Sequence, residues 1–98
     1  MGKIEVLALF KKGGKQIILG GRVIEGEVEK GVKVRIWRQG QLMGEGRLVQ
    51  LQVNKLDVQN ARAGCECGMR IDSRVSLEIG DQLEFYREEK IIKKIFEI

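Results

Sequence analysis

Two thiols one residue apart are the most reactive groups in this chain. Cys65 and Cys67 flank Glu66, and alternate residues of a β-strand point to the same face of a sheet. That geometry is unfavourable for a disulfide, and two ligands are too few for a structural zinc site. The chain has no histidine and no further cysteine. We therefore predict reduced, metal-free thiols, either as small buried side chains or as one wall of a ligand pocket.

The remaining residue types give little support for catalysis. Without histidine, a Ser-His-Asp triad and a Cys-His pair are both excluded. Gly13-Gly14-Lys15 is followed by Gln16 rather than by Ser or Thr, so it does not match a P-loop. We expect the carboxylates to lie opposite cations on neighbouring strands. The sequence therefore predicts a protein that is not an enzyme and that needs no cofactor.

An aromatic side chain with basic neighbours is typical of proteins that bind single-stranded nucleic acid. One predicted strand carries such a group, formed by Lys33, Arg35, Trp37 and Arg38. The alternative is that these cations form ion pairs and that Trp37 covers a barrel edge against Val23. The formal net charge of +4 is a mild excess, so charge alone does not identify a partner.

Short strands must position these residues. Thirteen glycines and no proline separate alternating runs of Val, Ile and Leu, as in proteins with many short strands and tight turns. We predict one all-β domain over residues 1–98, an antiparallel meander of about six to eight strands closed into a small barrel. A sandwich is the alternative architecture. Residues 85–98 fit a strand or one helical stripe, and strand is preferred.

Turn chemistry and charge favour one register for the central strands. If Val28 pairs with Val32 and Ile36 pairs with Leu42, two three-residue loops remain, and each ends in glycine. Such loops need a positive φ at their last position. The same register places acidic residues opposite cations on the outer face.

An N-terminal hairpin is also expected. Ile4, Val6, Ala8 and Phe10 alternate before a turn at residues 11–14, which indicates that they share one face of a strand. No apolar run approaches the length of about 18–20 residues that a spanning helix needs, and no signal peptide is recognisable. We expect a cytoplasmic monomer with no membrane partner.

Several short segments in a fixed order resemble one family. They are residues 18–26, 34–40, 45–48, Glu66-Cys67-Gly68 and Gly80-Asp81. Over roughly residues 4 to 87 they resemble the C-terminal domain of bacterial translation initiation factor two. The resemblance implies the closed β-barrel of the second domain of elongation factor Tu. It also implies a role in protein biosynthesis, with binding of the aminoacyl acceptor end of formylmethionyl initiator tRNA.

The resemblance also assigns candidate nucleic-acid-binding residues. Its most distinctive turn falls on Glu66, Cys67 and Gly68, which it implies line the aminoacyl pocket. The lysine that closes the family's basic segment falls on Lys55. These four residues are the predicted RNA-binding site.

Two departures from the family's pattern shape the predicted function. Gly21 stands where the family usually has a cysteine, and residues 52–54 replace a basic pair and an aromatic residue. Because cations and stacking rings supply much of the affinity for RNA, we expect weak binding of initiator tRNA or of ribosome-associated RNA. The alternative is a protein-interaction or structural barrel that has lost tRNA binding.

Overall fold

The computed structural model describes residues 1–11 and 16–87. Within these residues the regular secondary structure consists of β-strands alone. The strands are β1 (Gly2–Lys11), β2 (Gln16–Glu29), β3 (Lys33–Arg38), β4 (Gln41–Val53), β5 (Leu56–Asp57), β6 (Asn60–Arg62), β7 (Glu66–Ser73) and β8 (Gln82–Tyr86). The predicted all-β class is confirmed. A search of the described residues finds no helix with the length and hydropathy needed to cross a membrane.

Six of these strands close into an antiparallel barrel. Their order around the wall is β1-β8-β3-β4-β7-β2, and pairing of β1 with β2 completes the circle. Strand β5 pairs with β4, and β6 pairs with the end of β2. The predicted closed barrel is confirmed. The predicted meander is wrong, because β2 and β3, like β7 and β8, lie on opposite sides of the barrel.

The predicted pairing of Val28 with Val32 is wrong for the same reason. Val28 is buried and pairs with Ala61 of β6, while the chain from β2 to β3 crosses the end of the barrel. Gly31 has the expected positive φ of 91°. A glycine turn therefore forms where the sequence indicates one, but it joins strands that do not pair with each other.

The second hairpin forms between β3 and β4 with a shifted register. Ile36 pairs with Gly44, and Leu42 pairs with Trp37, with a β-bulge between the two positions. Gln39 and Gly40 both have positive φ, at 51° and 77°, which fits the two-residue turn that hairpins prefer. The predicted pair Ile36 with Leu42 is therefore wrong, because the loop is one residue shorter and the bulge absorbs the difference.

The terminal predictions are tested only in part. Strand β1 pairs antiparallel with β2, as the N-terminal hairpin requires, but most of the turn predicted at 11–14 lies outside the described residues. Strand β8 ends at Tyr86, so the strand preferred over residues 85–98 is observed at its start, and residues 88–98 lie outside the description.

The barrel interior is filled by aliphatic side chains and one aromatic ring. The largest fully buried residues are Phe85, Ile4, Leu19, Ile36, Leu48, Leu51, Ile71, Leu77 and Leu83. Cys67 belongs to this cluster, and Cys65 packs against it. Burial of these side chains fixes which face of each strand looks outward, and so determines which residues reach the surface.

Gly21 lies where β1 and β7 both pack closely on β2. A methyl group there would lie 2.5 Å from Ile4 Cγ2 and 2.8 Å from the Glu5 carbonyl oxygen. We expect Gly21→Ala to lower the free energy of unfolding by about 1–3 kcal/mol, the usual cost of overpacking, measured by urea denaturation. Gly68→Ala is the matched control, because a methyl group there meets no atom within 4 Å. Equal destabilisation of both variants would contradict this account.

Candidate nucleic-acid interface

The four predicted RNA-binding residues line one groove on the outer wall of the barrel. Glu66, Cys67 and Gly68 begin β7, and Lys55 lies in the turn between β4 and β5. The groove has a volume of about 370 Å³. Its other lining residues come from β1, β2 and the end of β4, namely Leu7, Ala8, Phe10, Gly20, Gly21, Gln52 and Asn54. The fold thus gathers residues that are well separated in the sequence.

The floor of the groove has almost no side chains. Gln52, Gly68, Gly20 and Ala8 lie in register across β4, β7, β2 and β1. The Phe10 ring covers Gly20, because its Cε2 atom lies 3.4 Å from the place that a Cβ on Gly20 would take, whereas a Cβ on Gly68 would meet no atom of the described residues within 4 Å. A flat ligand group can therefore approach the backbone of β7 directly at Gly68.

An exposed aromatic ring forms one side of the groove. Phe10 is 71% exposed and also lines a second hollow of about 290 Å³, which shares Gln52 and Gly68 with the groove. Arg70 lines this second hollow. The two hollows form one continuous depression with an apolar side and a basic end.

Sequence reasoning missed Phe10, because it placed this residue on the inward face. Ile4 and Val6 are buried as the alternation predicts, but β-bulges lie between Val6 and Ala8 and beyond Leu9. The bulge between Val6 and Ala8 shifts the alternation by one residue, so Leu9 packs against the core and the ring at position 10 faces outward. A bulge leaves little trace in the hydrophobic pattern, so no local signal marked this residue.

Two glutamine side chains are held in place on β4. Gln50 and Gln52 each donate a hydrogen bond from Nε2 to Oδ1 of Asp57, at 3.0 and 3.1 Å. Both hydrogen bonds lower the pKa of Asp57, and the bond from Gln50 has the larger effect. The β4 side of the depression is therefore a fixed hydrogen-bonded wall.

The turn between β4 and β5 presents Lys55 at the rim of the groove. Asn54 and Lys55 both adopt left-handed backbone conformations, with φ of 53° and 67°, and Val53 pairs with Leu56 on either side of them. This is the two-residue hairpin geometry that needs positive φ at both central positions. Val53 packs against the core, so it does not contribute a side chain to the groove.

Cys67 forms an apolar part of the groove. Its residue is 6% exposed, and burial, with a smaller effect from Cys65, raises the pKa of the Cys67 thiol to about 11. The thiol is therefore neutral near pH 7 and is a poor nucleophile. Both cysteines are free, and no cluster of three potential metal ligands occurs in the described part of the chain. The Glu66 carboxylate lies 3.8 Å from Arg22 Nη2.

The basic and aromatic group on β3 is engaged in ion pairs. Arg35 lies 3.9 Å from Glu45 and 3.8 Å from Glu84, and its guanidinium stacks 4.3 Å from the centre of the Tyr86 ring. Trp37 donates a hydrogen bond from Nε1 to Glu84 at 3.2 Å, so it is held by β8 rather than by the predicted contact with Val23.

Arg38 is held even more firmly. It donates from Nε and Nη2 to the two carboxylate oxygens of buried Asp81, at 2.9 and 3.0 Å, and lies 2.7 Å from Glu78. Glu25 lies 3.5 Å from Lys3 on the neighbouring strand β1. The β3 face is therefore a network of ion pairs, and the groove is the better candidate for nucleic acid.

The chain has sequence relatives among translation initiation factors. The chain is 35% identical over 91 residues to translation initiation factor IF-2 of Chloroflexus aggregans, and 35% identical over 95 residues to that of Nitrobacter winogradskyi. These alignments cover 92% and 97% of this chain. The chain is homologous to part of translation initiation factor IF-2. It spans 12% and 11% of the length of these two relatives, and no protein-family model matches it.

Solved structures share the fold of this IF-2-like barrel. GDP-bound aIF5B from Aeropyrum pernix superposes with a TM-score of 0.73 at 24% identity, covering 89% of this chain and 15% of that one. The apo form of translation elongation factor SelB from Methanococcus maripaludis gives a TM-score of 0.71 at 23% identity, covering 84% of this chain and 18% of that one. The resemblance to initiation factor two predicted from the sequence is confirmed, and the solved structures share the barrel fold.

Proposed function

We propose that this IF-2-like barrel binds the aminoacyl acceptor end of initiator tRNA and has no catalytic activity of its own. The observation that carries the proposal is the convergence of Lys55, Glu66, Cys67 and Gly68 on one groove. Homology to IF-2 supports a role in translation initiation in association with the ribosome. Such a role places the protein in the cytoplasm.

The chemistry of the groove suits an aminoacyl group joined to RNA. Leu7 and Phe10 supply apolar contacts for an amino acid side chain, while Cys67 lies beneath them with its side chain in the barrel core. Bare backbone at Gly68 admits a flat group, and Lys55 at the rim supplies a positive charge for a phosphate. The groove therefore combines the apolar and cationic contacts that such a ligand needs.

Filling the floor of the groove tests the proposal. We expect Gly68→Val to weaken binding of formylmethionyl initiator tRNA by at least about tenfold, because the new side chain enters the groove. Since a methyl group at Gly68 meets no atom within 4 Å and valine favours strands, the free energy of unfolding should not fall. Affinity is measured by nitrocellulose filter binding, and stability by urea denaturation.

Two comparisons make the result decisive. Gln41→Val, an uncharged substitution at an exposed β4 position outside the groove, should leave tRNA affinity unchanged. Wild-type protein should prefer formylmethionyl tRNA over the deacylated form. Equal binding of the two forms would contradict the proposed aminoacyl pocket. It would favour the alternative, a protein-interaction barrel.

A further inference from the structure

Three cations along the outer wall of the barrel have no carboxylate partner among the described residues. Within residues 1–11 and 16–87, Lys55, Arg70 and Arg47 make no ion pair or side-chain hydrogen bond. Four other arginines of the barrel, in contrast, each lie within 3.9 Å of a carboxylate oxygen, namely Arg22, Arg35, Arg38 and Arg62. The three cations therefore retain their charge for a ligand.

The strand register arranges these cations in a row. Arg70 follows Gly68 by two residues on β7, so the two project from the same outer face. Arg47 on β4 lies opposite Asp72, which is two residues beyond Arg70. Lys55 lies at the other side of Gly68, on the rim of the groove. The row runs from Lys55 past the floor of the groove to Arg70 and Arg47.

Arg70 has the most informative position in this row. Arg70 is half-buried and lines the same hollow as Phe10 and Gln52. A partly buried charge is screened by salt less than a fully exposed one. On both neighbouring strands the residues opposite Arg70 are uncharged, Gln50 on β4 and Ile18 on β2.

Acidic groups near the row are mostly engaged by other residues. The Glu66 carboxylate lies beside Arg22, and Asp57 accepts hydrogen bonds from Gln50 and Gln52. Asp72, opposite Arg47, is exposed and makes no ion pair with the described residues. Within the described part of the chain, the three cations of the row therefore outnumber its one unpaired carboxylate, Asp72, and the row keeps an excess of positive charge that matches an anionic ligand.

We propose that Arg70 and Arg47 bind phosphates of the RNA strand whose end lies in the groove. This inference rests on the proposed function and adds the path that the strand takes, from the groove along β7 and β4. It also explains how a chain without the family's cations at residues 52–54 can bind RNA. The phosphate contacts come from a different part of the wall.

Single-stranded RNA fits this path better than other polyanions. Arg70 lines the same hollow as the exposed ring of Phe10 and the bare backbone at Gly68. Cations combined with an exposed ring and a flat surface are typical of sites that track a nucleic-acid backbone and stack its bases. An acidic peptide would use the charges but would have no need of the flat floor.

The experiment is a salt titration of formylmethionyl initiator tRNA binding. With three phosphate contacts, the wild-type affinity should fall by about 2 log units per log unit of salt. Arg70→Gln and Arg47→Gln should each reduce that slope by about 0.7, and the double variant by about 1.4. Arg62→Gln, the same charge change at an 85% exposed side chain paired with Glu27, should leave the slope unchanged.

Each other outcome has a distinct meaning. If Gly68→Val weakens binding while both arginine variants keep the wild-type slope, the phosphate path is overturned and the proposed function stands. A slope reduced equally by Arg62→Gln would show an effect of net charge, and would overturn the path as well. If the arginine variants lower the slope but wild-type protein binds charged and deacylated tRNA equally, the path stands and the aminoacyl pocket fails. Poly-glutamate binding with the same slopes would overturn the RNA assignment.

Discussion

Replacement of Phe85 by alanine is expected to lower the free energy of unfolding by about 3–5 kcal/mol. Phe85 is 1% exposed and lies on β8 between Gly2 of β1 and Val34 of β3. Its ring fills the interior where β8 joins the two halves of the wall. A domain of this size has a total stability of about 5–15 kcal/mol. The variant should therefore lose a large fraction of that stability.

Urea denaturation followed by circular dichroism measures this loss. Phe10→Ala is the matched control, because it removes the same ring from a position that is 71% exposed. We expect Phe10→Ala to change the free energy of unfolding by no more than about 0.5 kcal/mol. Similar losses in the two variants would mean that the ring of Phe10 is buried in solution.

Alkali is expected to destabilise the barrel through Cys67. Burial raises the pKa of this thiol from 9.0 to about 11 in the folded protein. In the unfolded chain the thiol has its ordinary pKa, so it loses its proton first and alkali favours unfolding. Below about pH 9 the thiol is protonated in both states, so the free energy of unfolding does not change through Cys67. As the pH rises from about 9 to 11, the Cys67 thiol lowers the free energy of unfolding by up to about 3 kcal/mol.

The measurement compares urea denaturation of wild type and Cys67→Ala at several pH values between 8 and about 11. Every other group that titrates in this range is common to both proteins. The difference between the two stability curves should therefore shrink as the pH rises. Parallel curves would show that the Cys67 thiol titrates normally in the folded state.

The fold class was predictable from the sequence because it depends on local composition. The pairing of the strands was not predictable in this way. Glycine turns and alternating β-branched residues occur in the strands themselves. The partner of Val28 is set by the 14-residue β2, which pairs with β1, β7 and β6 in turn. No local turn signal carries that information. The glycine at position 31 forms its turn whether or not the flanking strands pair.

The groove was predictable at Lys55, Glu66, Cys67 and Gly68 only through the family resemblance. That prediction placed them in one site, and the fold brings them to one groove. Arg70 could not be found in the same way, because its significance depends on what surrounds it. Many arginines in this sequence have a carboxylate neighbour, and only the register shows that Arg70 lies opposite Gln50 and Ile18.

Pairing of β1 with β8 links the two ends of the described chain, with Gly2 opposite Phe85. During synthesis the first strand therefore leaves the ribosome long before its partner, and the barrel cannot close until β8 has followed. Contacts between such distant residues slow folding. Until closure, β1 and β3 expose unpaired backbone edges that favour aggregation. Loss of β8 would prolong that vulnerable state, even though Lys55, Gly68 and Arg70 all precede β8 in the chain.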